Sequence, residues 1–199
     1  MSFEKNKYSV VRQAISKELA QFVYDYLVVK RQVLKTYLKY RHISPFNDMH
    51  GSSGDKMVPG TFAIYGDAAN DGLLVKILPV IEKEINLKLV PTYSYARLYK
   101  KGDVLKRHKD RFSCEVSATL NLGGDPWPIY MEPDIKVELQ AGDLLVYKGM
   151  ELWHWREALE GEICGQVFLH YNKDNEEGRK NIYDGRIHLG LPANMKVDK

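Results

Sequence analysis

Three side chains carry the chemistry open to this sequence. In Arg107-His108-Lys109-Asp110 a histidine and an aspartate stand two apart just past a strand. Residues i and i+2 of a strand share a face, so both side chains can aim at one point. A second histidine, His154, lies between Trp153 and Trp155, beyond the hydrophobic run Asp143 to Tyr147. Two imidazoles and a carboxylate on one side make a facial triad, a donor set suited to Fe(II) that leaves the remaining positions open. A structural zinc site asks for four ligands, commonly thiolates, and the two cysteines, Cys114 and Cys164, form no CxxC pair. His-X-Asp alone is common by chance, so context decides. The pair precedes a long strand, and His154 follows Asp110 by 44 positions (154 − 110), chain enough for about four strands. His42 and His50 fall in an irregular segment, His170 on a later strand and His188 in the tail, and these read as core or surface residues.

The elements that must position the triad are legible in the pattern. Ser16 caps a helix running to about Tyr40, with Leu19, Phe22, Val23, Tyr26, Leu27 and Leu34 at three- and four-residue steps. Ser44 to Gly60 is rich in Ser, Gly, Asp and Pro and reads as a lid or a disordered stretch. A second helix spans about Asp71 to Asn86, with Asp71 as its cap and Pro79 inside it. Short strands follow: Thr92 to Tyr99, Ser113 to Leu122, Trp127 to Met131, Ile135 to Leu139, Asp143 to Tyr147 and Gln166 to Tyr171, separated by turn residues. Helices followed by short strands describe an α+β protein built on a sandwich or barrel. The expectation is one domain over 1–199, helical over about 10–90 and barrel over about 92–171, with Ile187 to Leu191 as an edge strand in a polar tail.

Composition narrows the function classes. A 199-residue chain with 44% hydrophobic residues can bury a sizeable core. Its net charge of +3 is spread along the chain, and the densest basic stretch, Lys30 to Arg41, is interleaved with apolar residues at helical spacing. That is a solvated helix face, and it argues against a nucleic-acid partner. No apolar run is long enough to span a bilayer, the first residues are polar, and two cysteines make no disulfide framework. The expectation is a soluble cytoplasmic protein in a reducing compartment.

Over roughly Thr92 to Tyr171 the sequence resembles the prolyl-hydroxylase-like branch of the 2-oxoglutarate/Fe(II) dioxygenase superfamily. The resemblance lies in Arg97-Leu98-Tyr99-Lys100-Lys101-Gly102-Asp103, His108-Lys109-Asp110, Thr119-Leu120-Asn121-Leu122, Gly142-Asp143-Leu144-Leu145, His154 and the strand Gln166 to Tyr171. It implies a double-stranded β-helix (jelly-roll) barrel with supporting N-terminal helices. It also implies iron on His108, Asp110 and His154, 2-oxoglutarate and O₂ as co-substrates with ascorbate as an optional reductant, and hydroxylation of an unactivated C–H bond. Tyr99, nine residues before His108, matches a tyrosine that touches 2-oxoglutarate in such enzymes, and Thr119 joins the co-substrate set.

The family usually supplies a Lys or Arg about ten residues after the distal histidine, to pair with the far carboxylate of 2-oxoglutarate. Here that position is Cys164, and the next inward one is Gln166. A carboxylate buried without a charge partner is costly. Arg97, sharing strand parity with Tyr99, ranks first as the replacement, Arg156 second, and Arg111 and Lys148 below them. Trp127, Tyr130, Trp153, Trp155 and Arg111 are the substrate-pocket candidates, and no catalytic residue is expected beyond the metal ligands. The leading expectation is a hydroxylase of a protein or peptide side chain or an amino acid. A nucleic-acid base oxygenase and a jelly roll that binds a ligand without turnover remain as alternatives.

Overall fold

The structure is a computed structural model and describes residues 3–196. A short helix α1 (Phe3–Asn6) and an edge strand β1 (Tyr8–Val11) precede the long helix α2 (Lys17–Lys39). Ser16 caps α2, its hydroxyl accepting the Leu19 N–H, and the helix buries Ala20, Val23, Leu27 and Leu34. Phe22, expected on the apolar stripe, is 65% exposed. Helical period sets the stripe's direction, and its width depends on the neighbour. After β2 (Phe62–Tyr65), helix α3 (Ala68–Ile85) is capped by Asp67, which accepts the Ala69 N–H, so the expected cap at Asp71 is displaced by one turn. Asp71 is buried instead, accepting the Ser94 N–H and hydroxyl and pairing with Arg186 at 2.9 Å.

The remaining strands are β3 (Leu89–Lys100), β4 (Leu105–His108), β5 (Val116–Gly124), β6 (Ile129–Met131), β7 (Ile135–Val137), β8 (Leu144–Lys148), β9 (His154–Arg156) and β10 (Ile163–Lys173), followed by α4 (Glu176–Arg179). They form two antiparallel sheets, ordered β1-β8-β5-β10-β3-β2 and β4-β9-β6-β7. The strand expected from Ser113 begins at Val116, because Phe112–Cys114 is a single 3₁₀ turn. Ile187 to Leu191 forms no strand, and Ile187 is exposed.

Strand alternation divides the large sheet into two faces. Ala96, Leu98, Leu120, Val146, Val167 and Leu169 pack with Val23, Leu27, Leu74 and Ile77 of the helices. The opposite parity faces the small sheet: Leu145 and Tyr147 meet Ile129 and Met131, and Tyr99 and Phe168 meet Leu105 and Trp127. Each fully buried aliphatic or Phe side chain contributes about 1.5–3 kcal/mol of transfer free energy. The helices thus fix one face of the large sheet and leave its polar inward residues, Arg97, Thr119, Gln166 and His170, between the sheets.

Candidate metal centre

Strands β4 and β9 pair antiparallel with His108 directly opposite His154, which brings the two ring centroids to 4.2 Å. Asp110 follows β4, and its backbone N–H donates to the Gly149 carbonyl at 2.9 Å. Its Oδ1 lies 3.6 Å from the Nε2 of each histidine, and one ligand atom from each of the three residues lies within 4.8 Å of the others. The Nδ1 atoms face backbone carbonyls, Lys106 at 2.7 Å for His108 and Leu152 at 3.1 Å for His154. A carbonyl only accepts, so each Nδ1 carries the proton and each Nε2 presents its lone pair to the centre. Burial lowers the pKa of His154, which favours the neutral, ligating form.

The carboxylate is held just as tightly. Asp110 Oδ2 accepts the Ser117 hydroxyl at 2.6 Å, and the Ser117 oxygen lies 3.1 Å from His170 Nδ1. With the serine hydroxyl donating to Asp110, its oxygen is left to accept from His170 Nδ1–H, which fixes the tautomer of His170. Burial pushes the His170 pKa down to about 4, so it stays neutral in this chain of bonds. Gly149 closes the arrangement. A Cβ there would overlap the Asp110 carboxylate, the Cys114 carbonyl and the Ser117 hydroxyl, so only glycine lets the backbone approach this closely.

The triad opens into a cavity of about 340 Å³, walled by Tyr93, Tyr95, Phe168 and His170 and rimmed by Arg97, Arg111 and Asp55. The two leading arginines differ in their partners. Arg97 NH2 pairs with Asp55 Oδ2 at 2.5 Å, and its NH1 donates to the Tyr99 hydroxyl at 3.2 Å. Arg156 is 1% exposed and spends one nitrogen on the Trp127 carbonyl. Its Nε and NH2 are buried without a hydrogen-bond partner, and among the described residues no carboxylate pairs with it. Burial pulls its pKa below the usual arginine value, against favourable contributions from Cys164, Tyr99 and Tyr147 only. Thr119 Oγ1 and Gln166 Oε1 are also buried without partners. Gln166 Nε2 donates to Cys164 Sγ at 3.1 Å, and the Tyr147 hydroxyl lies 3.5 Å from His154 Nε2.

The aromatic pocket candidates lie elsewhere. Trp127 is a core residue, edge-on to Tyr99 and donating to the Glu157 carbonyl. Tyr130 and Trp155 stack at 5.8 Å on the outer face of the small sheet, and Trp153 is 38% exposed under the Arg107 and Lys109 cations. None of the four lines the cavity, whereas Arg111 does. Arg111 pairs with Asp184 at 2.9 Å, and Lys148 pairs with Glu4 at 2.6 Å. Sequence reasoning passed over Ser117, Tyr93, Tyr95 and Phe168, although their parity matches inward neighbours on the same strands, and it read His170 as a core or surface residue, which is buried here beside the triad. Gly149 and Asp55 left no comparable signal.

No protein-family model matches the sequence, and no curated protein matches it. Solved structures do. A prolyl-4-hydroxylase from Pseudomonas putida aligns with a TM-score of 0.60 at 16% identity, over 87% of this chain and 96% of that one. HygX from Streptomyces hygroscopicus, solved with nickel, 2-oxoglutarate and hygromycin B, gives 0.56 at 13% identity over 92% and 93%. The non-haem α-ketoglutarate-dependent epimerase SnoN of nogalamycin biosynthesis gives 0.57 at 15% identity over 85% and 79%. The chain therefore shares the fold of 2-oxoglutarate/Fe(II) oxygenases, prolyl hydroxylases among them, and carries a His-Asp-His cluster able to hold a metal ion. No helix among the described residues is long and apolar enough to cross a membrane.

Proposed function

We propose that the chain is an Fe(II)- and 2-oxoglutarate-dependent oxygenase, acting as a hydroxylase on an amino acid or a protein or peptide side chain, with its two sheets forming a jelly-roll barrel. One observation carries the reading: His108, Asp110 and His154 converge at the base of a cavity, with both Nε2 lone pairs oriented by backbone carbonyls. Three protein ligands on one side suit a metal that must also take co-substrate and O₂. With Fe(II) and 2-oxoglutarate in place, the cofactor pair supplies O₂ activation through oxidative decarboxylation to succinate and CO₂.

The chain's own residues do the positioning. Ser117 holds Asp110 by donating to its Oδ2, and Gly149 leaves the room that oxygen needs, so Oδ1 is the atom that would be offered to a metal. Arg156 is the cation for the far carboxylate of 2-oxoglutarate, since its free nitrogens need an anion that the protein does not provide. Thr119, Tyr99 and Tyr147 supply hydroxyls around it, and Gln166 takes the place of the basic residue on the last strand. Arg97 is already paired, which favours Arg156 over it. The unpaired arginine also weakens the reading of a jelly roll without turnover, whose best support was the missing cation. The same fold also carries an epimerase, so the fate of the substrate is set by side chains and loops around the metal and not by the fold.

The test is anaerobic titration with Fe(II) and then 2-oxoglutarate, followed through the charge-transfer absorption of the chelate, and succinate release on adding O₂. His108→Ala, Asp110→Ala and His154→Ala should each lose the absorption and the succinate while keeping the wild-type circular dichroism. An Asp110→Ala protein that keeps both would refute the triad.

A further inference from the structure

We propose that Arg97 and Tyr95 form a subsite for a carboxylate on the substrate at the mouth of the metal cavity, and that Asp55 fills it as an internal surrogate until that carboxylate replaces it. This rests on the oxygenase reading in calling the ligand a substrate; the anion site itself does not.

The site is built. Arg97 is 7% exposed, and its guanidinium lies among aromatic rings, 4.9 Å from the centroid of Tyr95 and 5.8 Å from those of Tyr99 and Phe168. The Tyr95 hydroxyl donates to the same Asp55 oxygen that Arg97 NH2 holds. Asp55 Oδ1 is turned away and accepts the Met57 N–H at 2.7 Å. The ion pair is therefore one nitrogen on one oxygen. Arg97 Nε, beside NH2 on the guanidinium edge, is buried without a partner. A guanidinium edge is shaped for two parallel N–H···O bonds to one carboxylate, and Asp55 leaves one of them unmade.

Asp55 comes from the irregular segment between α2 and β2, which is tied to the large sheet through Ser52 and Ala63 and buries Val58 in the core. Next to it, a Cβ built on Gly54 would meet nothing within 4 Å, so the chain beside Asp55 is open on that side. An incoming carboxylate would take both Nε and NH2 together with the Tyr95 hydroxyl. Exchanging one carboxylate for another keeps the buried cation paired throughout, so the swap avoids the cost of a lone guanidinium. A neutral or cationic group offers Arg97 no such exchange. Since Asp55, Tyr95 and Arg97 line the same cavity as the triad, a substrate held by its carboxylate here would extend toward the metal ligands.

The test uses metal-free protein without 2-oxoglutarate, so its failure leaves the oxygenase reading standing and failure of succinate release leaves this one standing. Benzoate and its neutral analogue benzamide are titrated calorimetrically into wild type, Asp55→Ala, Asp55→Asn and the double variant Asp55→Ala/Arg97→Gln. Asp55→Ala should bind benzoate about tenfold or more tighter than wild type, the worth of a charge-assisted pair freed from competition. Asp55→Asn should fall between the two. Benzamide should gain nothing, and the double variant should return to the wild-type value. Benzoate bound at Arg156 is common to all four proteins and cancels in the comparison. Equal benzoate affinity in wild type and both Asp55 variants, or a gain that survives Arg97→Gln, would overturn the proposal.

Discussion

Replacing Arg156 by Met separates the two roles an interior arginine can have. A structural arginine is held by the protein, and its loss destabilises the fold. A ligand-binding arginine is held by the ligand, and its loss shows in binding. In the free protein the guanidinium makes one hydrogen bond, to the Trp127 carbonyl, and lies 4.9 Å from the Trp127 ring. Those contacts are worth roughly 1.5–3 kcal/mol for a hydrogen bond to a charged group and about 2 kcal/mol for a desolvated cation–π contact. Against them stands a desolvation penalty of several kcal/mol for a buried ion with no counter-charge. The opposing terms are of similar size. Methionine fills the same channel, so the stability of the free protein should change by only about 1–2 kcal/mol, a few degrees in unfolding midpoint for a chain of this length.

Binding should respond very differently. Stripping one partner from a buried ion pair costs about 3–5 kcal/mol, or two to three and a half orders of magnitude in affinity. The assay is calorimetric titration of 2-oxoglutarate into the Mn(II)-loaded protein, with thermal unfolding of the free protein beside it. Arg156→Met should retain Mn(II), nearly retain its unfolding midpoint and lose 2-oxoglutarate. Arg97→Gln, which removes only a hydrogen bond to Tyr99 on this side, should weaken 2-oxoglutarate binding far less. If Arg156→Met unfolds many degrees lower while 2-oxoglutarate binds normally, Arg156 is a structural residue and the reasoning fails.

Two further perturbations follow from the geometry. Ser117→Ala removes the hydrogen bond to Asp110 Oδ2, and Gly149→Ala drives a methyl into that carboxylate; each should weaken Mn(II) binding by about 10–100-fold, as loss of support behind a metal ligand commonly does, and unchanged affinity in both would show that Asp110 needs no such support. Although burial opposes it, hydrogen bonds from Arg111, Lys196 and Tyr65 hold the Asp184 carboxyl well below the usual carboxylate range. Its stabilisation is therefore complete above the unfolded pKa of about 3.9 and fades as pH falls from there toward the lower folded value. Urea unfolding of wild type and Asp184→Asn between pH 6 and pH 2 should show a shallower acid loss in the variant, and parallel curves would remove Asp184 from the account.

What the sequence could and could not show divides along locality. The period-two pattern places Arg97 and Tyr99 on the face opposite Ala96 and Leu98, and they lie there in the structure, because strand parity is a local property. The same rule could have excluded Trp155 and Tyr130. Each alternates with inward residues, His154 and Arg156 in one case and Ile129 and Met131 in the other, and neither ring lines the cavity. Asp67 and Asp71 stand one helical turn apart, and both suit a cap. The choice was made by Arg186, 115 residues from Asp71, which local pattern does not report. The partner of Arg97 was hidden in the same way, since Asp55 lies 42 residues away in a segment with no periodicity.

The position of Arg156 has a consequence for the whole centre. His154 and Arg156 are both inward residues of the three-residue strand β9, so the candidate metal ligand and the proposed cation stand about 6.6 Å apart along one piece of backbone. A cation on the last strand would be set by the packing of β10 against β3 and β5 and would shift with that interface. On β9 the spacing is covalent. The pairing of β9 with β4, which places His108 opposite His154, therefore sets the distance between the histidines and orients the cation in the same step. Any slip of this pairing by one residue would turn His154 and Arg156 outward together and bring Trp155 inside. The register is held by Leu105 opposite Arg156 and by Met131 opposite His154 on the other side, and both of those side chains are buried. The small sheet's apolar residues thus enforce the register on which the proposed metal and co-substrate sites jointly depend, so substitutions at Leu105 or Met131 should disturb both kinds of binding at once.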